Sequence, residues 1–194
     1  MVYFLVGLGV FFGVHIFSAV RSRAPGRDLK QKLGYAPYMG LYSLASIIGF
    51  VLIIYGYGET RGMGLFYRPP VWAQHLNVTI MLPALILLVA SQLPAGRIKK
   101  ITKHPMLLAT KLWAVGHLLS NGEINAVILF GSFLAYAVFD RIMVKRRGDT
   151  GPGPDIKLSA VADIGAVVIG LAVWAALILW LHPILFGVEA LVIS

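Results

Sequence analysis

Residues 2–20 read VYFLVGLGVFFGVHIFSAV, a stretch that contains no Asp, Glu, Lys or Arg. Its length matches the about 20 mostly apolar residues that a helix needs to cross the ~30 Å hydrocarbon core of a bilayer. It has neither the basic start nor the small-residue cleavage site of a signal peptide. The stretch therefore predicts a transmembrane helix that stays in the protein. Five basic residues follow it: Arg21, Arg23, Arg27, Lys30 and Lys32.

Five more apolar segments follow, and they dominate the composition. Hydrophobic residues make up 58% of the 194 residues and charged residues 13%, against about 45–50% and about 25% in soluble domains. An ordinary soluble domain is excluded, because too few charges remain to cover its surface. The sequence predicts an all-α fold, a polytopic membrane helical bundle of about six transmembrane helices, in a single domain over 1–194. The further segments lie at 39–57, 71–93, 105–120, 124–143 and 159–181.

The connections between the apolar segments are alternately rich and poor in Lys and Arg. Lys and Arg number five in 21–38, two in 58–70, four in 94–104, none in 121–123 and five in 141–158. Lys111, inside the fourth segment, completes the seventeen. The positive-inside rule then predicts that the rich connections face the cytoplasm and that both termini lie outside. The net charge of +9 is thus assigned to membrane topology, and no nucleic-acid partner is expected.

Local signals add three expectations about the helices and their connections. Gly9 and Gly13 form a small-xxx-small pair, which is a common helix-packing face in membranes. The segment GDTGPGPD at 148–155 predicts a flexible cytoplasmic linker and is the one candidate boundary. His182-Pro183 is expected to end the last helix, with residues 184–194 in the outer interface.

Function is expected at the histidines, because ionisable side chains inside a bilayer are expensive and tend to mark function. His15 and His117 each lie ~18–20 Å along from the start of their segment, counting the fourth segment from His104. The two helices run in opposite directions and side chains lean toward their helix N-terminus, so the two imidazoles are expected to converge near the midplane. His75 and His104 sit at helix ends and are expected to support the site from the interface, with direct ligation left open. His182 is expected to be interfacial.

The kind of site follows from what accompanies the two histidines. The chain has no Cys, which excludes disulfides, thiolate ligands and covalent c-type haem. Zinc and copper sites usually recruit Cys, carboxylates or a third His, and no Asp or Glu lies at membrane depth beside this pair. A porphyrin supplies four nitrogens by itself, so the pair favours one non-covalent haem b with His15 and His117 on the iron. Basic residues near the inner helix ends could pair with its propionates or simply anchor the helices.

A family resemblance is carried by residues 104–133, which read HPMLLATKLWAVGHLLSNGEINAVILFGSF. This block resembles the signature of the NnrU family of bacterial integral membrane proteins. His15, GYAPYMGLYSLAS at 34–46 and WAQH at 72–75 agree with the same family, so that the resemblance covers roughly 1–145. It implies a bacterial inner (cytoplasmic) membrane location and a link to nitrogen-oxide respiration, that is, denitrification.

The same family is similar to the 15-cis-ζ-carotene isomerase of plants and cyanobacteria, a haem b membrane enzyme. This similarity implies that its two iron ligands correspond to His15 and His117. A Cys that can replace one ligand in the isomerase corresponds to Ala114.

Three functions follow as alternatives. The first is a haem protein that supports nitrogen-oxide respiration through redox or haem-dependent assembly, with a respiratory membrane partner. The second is a haem-dependent cis-trans isomerase of an apolar, carotenoid-like polyene. The third is a haem-free transporter or assembly factor, against which stands the lack of a mid-membrane carboxylate for proton coupling.

Overall fold

The computed structural model describes residues 1–191, and these residues form helices joined by short connections. Within that range there is no strand, only an isolated bridge between Leu65 and Glu123. The predicted all-α fold is confirmed. In chain order the elements are α1 (Val2–Val20), α2 (Leu29–Leu33), α3 (Tyr35–Glu59), α4 (Val71–Gln92), α5 (Arg97–Thr102), α6 (Pro105–Ser120), α7 (Ile124–Arg146), α8 (Ala160–Ala176), a π-helical turn (Leu177–Leu181) and α9 (His182–Phe186).

Five helical segments of the described chain are long and apolar enough to cross a membrane. They are Val2–Val20, Tyr35–Glu59, Val71–Gln92, Ile124–Arg146 and Ala160–Phe186, and they make the chain a multi-pass membrane protein. α3 begins four residues earlier than the sequence predicts. Pro37 explains the difference, because a proline in the first turn of a helix has no hydrogen bond to lose.

The chain forms two compact units, Met1–Gly64 and a second one that begins at Leu65. In the first unit α1 and α3 pack against each other through glycines. A Cβ atom on Gly7 would lie 2.6 Å from the backbone nitrogen of Ile53, and one on Gly49 would lie 2.7 Å from that of Phe11. Gly9 and Gly13 take no part in this packing, since a Cβ on either would meet no atom within 4 Å.

The connection between α1 and α3 is organised by an ion pair. Asp28 pairs with the Arg21 guanidinium and also accepts a hydrogen bond from the backbone N–H of Lys30 at 2.9 Å, which caps α2. The Arg21 guanidinium also lies over the buried Tyr38 ring, 5.3 Å from its centroid. The hydrogen bond that the Arg21 guanidinium donates to the Asp28 carboxylate is the main reason that the pKa of this carboxyl lies below its ordinary value of 3.8.

This ion pair predicts an acid-sensitive contribution to stability. A carboxyl with a depressed pKa stabilises the folded state fully above its ordinary pKa, and the contribution is lost as the pH falls through the lower, folded-state pKa. We expect Asp28→Asn to lower the thermal midpoint of the purified protein at neutral pH, and the difference from the unchanged chain to shrink below about pH 4. The exposed Asp155 gives a matched control, Asp155→Asn, which should change little. A deficit of the Asp28 variant that stays constant down to pH 3 would contradict this account.

Different connections lie at the two ends of the second unit. We call the end with residues 65–70 and 121–123 the bridge end. There the Phe66 N–H donates to the Gly122 carbonyl at 2.7 Å, and the Tyr67 hydroxyl donates to the Asn121 carbonyl at 2.9 Å. At the other, the basic end, the Ser159 N–H donates to the Ala95 carbonyl at 2.9 Å. The segment 148–155 lies inside this unit, where a Cβ on Gly151 would be 2.8 Å from Lys103 Cα. The two connections rich in Lys and Arg therefore meet at one end of this unit, and the two connections poor in Lys and Arg meet at the other, as their charge pattern predicts.

The fourth predicted segment forms α6, which is 16 residues long. It begins beside the basic end, where the His104 ring contacts Asp149, and it is followed directly by Asn121 at the bridge end. At ~1.5 Å per residue it is ~24 Å long, less than the ~30 Å hydrocarbon core. α6 thus connects both ends of the second unit although it is too short to count among the five long apolar segments.

The end of the last helical segment differs from the prediction. Pro183 does not end it: a π-helical turn at Leu177–Leu181 is followed by α9, with Pro183 in the first turn of α9. A wider π turn relieves the clash that a proline ring makes with the preceding turn, and the first turn of α9 needs no N–H from proline. Gly187, in the left-handed conformation with φ 68°, ends α9. Of the expected interfacial stretch 184–194, residues 192–194 lie outside the described range.

Candidate functional site

His15 lies on α1 in the first unit, half-buried among aromatic rings. Its Nδ1 donates a hydrogen bond to the carbonyl oxygen of Phe11, one turn earlier, at 2.6 Å. The Phe11 ring lies 4.2 Å away and the Tyr42 ring of α3 5.2 Å away, centroid to centroid. Because a carbonyl oxygen can only accept, Nδ1 carries the hydrogen of this bond.

His117 lies on α6 in the second unit and has the same local geometry. Its Nδ1 donates to the carbonyl oxygen of Trp113, again one turn earlier, at 2.9 Å. The imidazole stacks on the Phe130 ring of α7 at 4.5 Å and 23°, and Trp113 lies 5.4 Å away. Trp113 in turn contacts the edge of Phe130 at 4.9 Å. The imidazole of His117 is thus held in one plane with its lone pair on Nε2.

The orientation of α6 is fixed from the opposite side by α4. Gly116 lies against Asn77 and Met81, and a Cβ at this position would be 2.8 Å from the Met81 Cε. The buried Asn77 amide donates to the Ser120 hydroxyl at 2.8 Å, and Ser120 donates to the Gly116 carbonyl at 3.2 Å. With Gly116 and Ser120 turned toward α4, the adjacent His117 is turned toward α7.

His104 and His75 occupy different places from His117. His104 precedes α6 at the basic end, where its Nε2 donates to the Asp149 carbonyl at 3.2 Å. It is thirteen residues, hence ~20 Å, from His117 along the chain of α6. His75 is exposed in the second turn of α4.

His182, which is expected from the sequence at the outer end of the last helix, lies in the first turn of α9. Its Nδ1 donates to the Val188 carbonyl at 2.7 Å. The only available signal was Pro183, which was interpreted as the end of the helix, whereas the π turn carries the helix on.

Comparison with protein families gives a match to the model described as NnrU protein, over residues 3–190. The chain belongs to the NnrU family. No curated protein matches the chain, and no solved structure matches it. The matched region of this NnrU protein includes α8 and α9 as well as the part up to residue 145.

The candidate metal ligands of this NnrU-family chain are two histidines, His15 and His117. Within residues 1–191 no three His, Asp or Glu side chains are grouped as a metal ion bound by protein alone would need. His15 and His117 instead each have an imidazole ring that is oriented by a backbone carbonyl. Such a hydrogen bond is the usual support of a metal-binding histidine. Each histidine by itself is therefore suited to ligate a cofactor that brings its own equatorial ligands.

Proposed function

We propose that this NnrU-family membrane protein binds one haem b non-covalently, with His15 and His117 as the axial ligands of the iron. The supporting observation is the Nδ1–H bond that each ring makes to the carbonyl four residues earlier, which presents Nε2 as the coordinating atom. The rings around each histidine are apolar and aromatic, as a porphyrin at membrane depth requires. A bound haem would supply one-electron redox chemistry.

Residue 114 supports a choice between the functions that such a haem would allow. The carotene isomerases that the chain resembles have a replacement Cys ligand here, whereas Ala114 is fully buried in a cluster with Ala126 and Phe130. No thiolate is present one turn before His117, where Ala114 stands. We therefore propose a redox or haem-assembly role linked to nitrogen-oxide respiration, with both histidines retained on the iron in both redox states.

Optical spectra of the purified protein test this proposal. We expect the spectrum of six-coordinate haem in the oxidised and the dithionite-reduced forms, and no change when carbon monoxide is added, because neither axial position is vacant. Carbon monoxide binding together with conversion of a 15-cis polyene to its 15-trans form would favour the isomerase instead. Protein that takes up no haem would leave the haem-free transporter or assembly factor.

For the orientation we propose an inner membrane location with both termini in the periplasm, on the strength of the basic residues gathered at one end of the second unit. Single-Cys labelling is straightforward because the chain has no Cys. Gly153 is the better labelling position in 148–155, since it is exposed and open, whereas Gly151 has φ +82° and touches Lys103.

We expect a Gly153→Cys variant in intact spheroplasts to resist a membrane-impermeant maleimide, and to react once the membrane is opened. A Met63→Cys variant, at an exposed side chain in a connection poor in basic residues, is the matched control and should react in both preparations. Labelling of the Gly153 variant alone in intact spheroplasts would reverse the orientation.

A further inference from the structure

Lys111 is a charged side chain in the middle of α6. It lies six residues after Pro105, hence ~9 Å along a helix that is ~24 Å long, and it is half-buried. A charge at such a depth costs free energy unless it reaches water or meets a partner, and for this reason such residues normally pair.

Among the described residues, no acidic side chain neutralises Lys111. It makes no hydrogen bond and no ion pair with any residue in 1–191. The same holds for Arg141 on the adjacent helix α7. The carboxylate beside Arg141 is already engaged, since Asp140 pairs with Arg147 at 3.9 Å. Two cations on adjacent helices therefore have no carboxylate partner within the described part of the chain.

The register of α6 against α7 brings their head groups together. The contacts of His117 with Phe130 and of Trp113 with Phe133 show that the helices run antiparallel. Continuing this register, Arg141 lies about five residues, ~8 Å, closer to the basic end than Lys111. Each side chain leans toward the N-terminus of its own helix, Lys111 toward the basic end and Arg141 away from it. Both long side chains thus extend toward the same depth.

We propose that Lys111 and Arg141 bind one oxyanion, a carboxylate or a phosphate. An arginine offers a planar fork of N–H donors to such a group and a lysine adds a compact charge. Two molecules carry this chemistry at this depth. One is the haem of the proposed function, whose propionates are carboxylates and whose ligand His117 lies on the same helix, six residues further on. The other is an anionic phospholipid, whose headgroup phosphate binds basic pockets between transmembrane helices.

The experiment compares Lys111→Met and Arg141→Met with Lys111→Arg, which keeps the charge, and with Lys100→Met, which removes an exposed lysine from α5. In one arm the haem-free full chain in detergent is titrated with haem b and with haem dimethyl ester, which has no propionate charge. In the other arm native mass spectrometry counts phosphatidylglycerol and phosphatidylcholine retained by each variant. The carboxylate source rests on the proposed function, whereas the phosphate source does not.

We expect Lys111→Met to lower the affinity for one of these ligands about tenfold, because one charge-assisted hydrogen bond is lost. Arg141→Met should lower the affinity by a similar factor, and Lys111→Arg should bind nearly as well as the unchanged chain. Weaker haem b with unchanged ester binding identifies the propionate. Loss of phosphatidylglycerol but not phosphatidylcholine identifies the phospholipid, and this arm stays decisive if no variant takes up haem. Equal losses of both haem forms, or variants that behave like Lys100→Met in both arms, would overturn the oxyanion site.

Discussion

Replacing His15 or His117 with alanine should lower the affinity for haem by about 100-fold or more, so that most of the purified variant carries no haem. Changes to groups that merely orient a ligand already cost 10–100-fold, and alanine removes the coordinating nitrogen itself. In the unchanged chain each imidazole is oriented by a backbone carbonyl, Phe11 for His15 and Trp113 for His117. The measurement is the haem-to-protein ratio of purified variants, with the spectrum of any residual haem showing loss of six-coordination.

Two other histidines serve as controls for this result. His75→Ala removes an exposed side chain from α4, and His182→Ala removes the ring at the start of α9 that donates to the Val188 carbonyl. Both variants should keep near-normal haem. Retention of haem by the His15 variant together with its loss from the His182 variant would contradict the assignment and would identify His182 as the second ligand.

The fold was largely predictable because membrane helices are specified by length, hydropathy and flanking charge, which are all local properties of a sequence. The bounds of α1 and α6 agree with the prediction, and the basic connections meet at one end of the second unit as their alternation required. The errors arose near prolines. α3 begins before Pro37, which lies in its first turn, and the helix continues past Pro183, which follows a π turn.

Less of the site was predictable, because the spacing of residues along one helix does not say which face meets a neighbour. Depth along the chain singled out His15 and His117 as candidates, but their orienting bonds and the Phe130 stack required coordinates. The hydrogen bond of His182 to the Val188 carbonyl depends on the π turn that carries the helix on after α8, which no motif encodes. That Lys111 has no carboxylate partner within residues 1–191 likewise depends on which side chains α7 places beside α6.

Glycine packing in the first unit gives a prediction in which two similar substitutions should have opposite effects. A Cβ on Gly7 would lie 2.6 Å from the Ile53 nitrogen and 2.9 Å from the Gly49 carbonyl oxygen, both backbone atoms that cannot rotate away. Overpacking of this kind costs ~1–3 kcal/mol, more than the up to ~1 kcal/mol by which alanine favours a helix over glycine. Gly7→Ala should therefore destabilise the protein.

Gly9→Ala makes the same chemical change two residues away, where the added Cβ meets nothing within 4 Å. Only the gain in helix propensity remains, so this variant should be as stable as the unchanged chain or slightly more stable. With ~2–4 °C of thermal midpoint per kcal/mol for a chain of this size, Gly7→Ala should melt several degrees below Gly9→Ala in the same detergent. Equal midpoints would mean that α1 and α3 do not approach through Gly7. The reverse order would return the packing face to Gly9 and Gly13, because only a glycine that a neighbouring backbone touches loses stability when a methyl group is added.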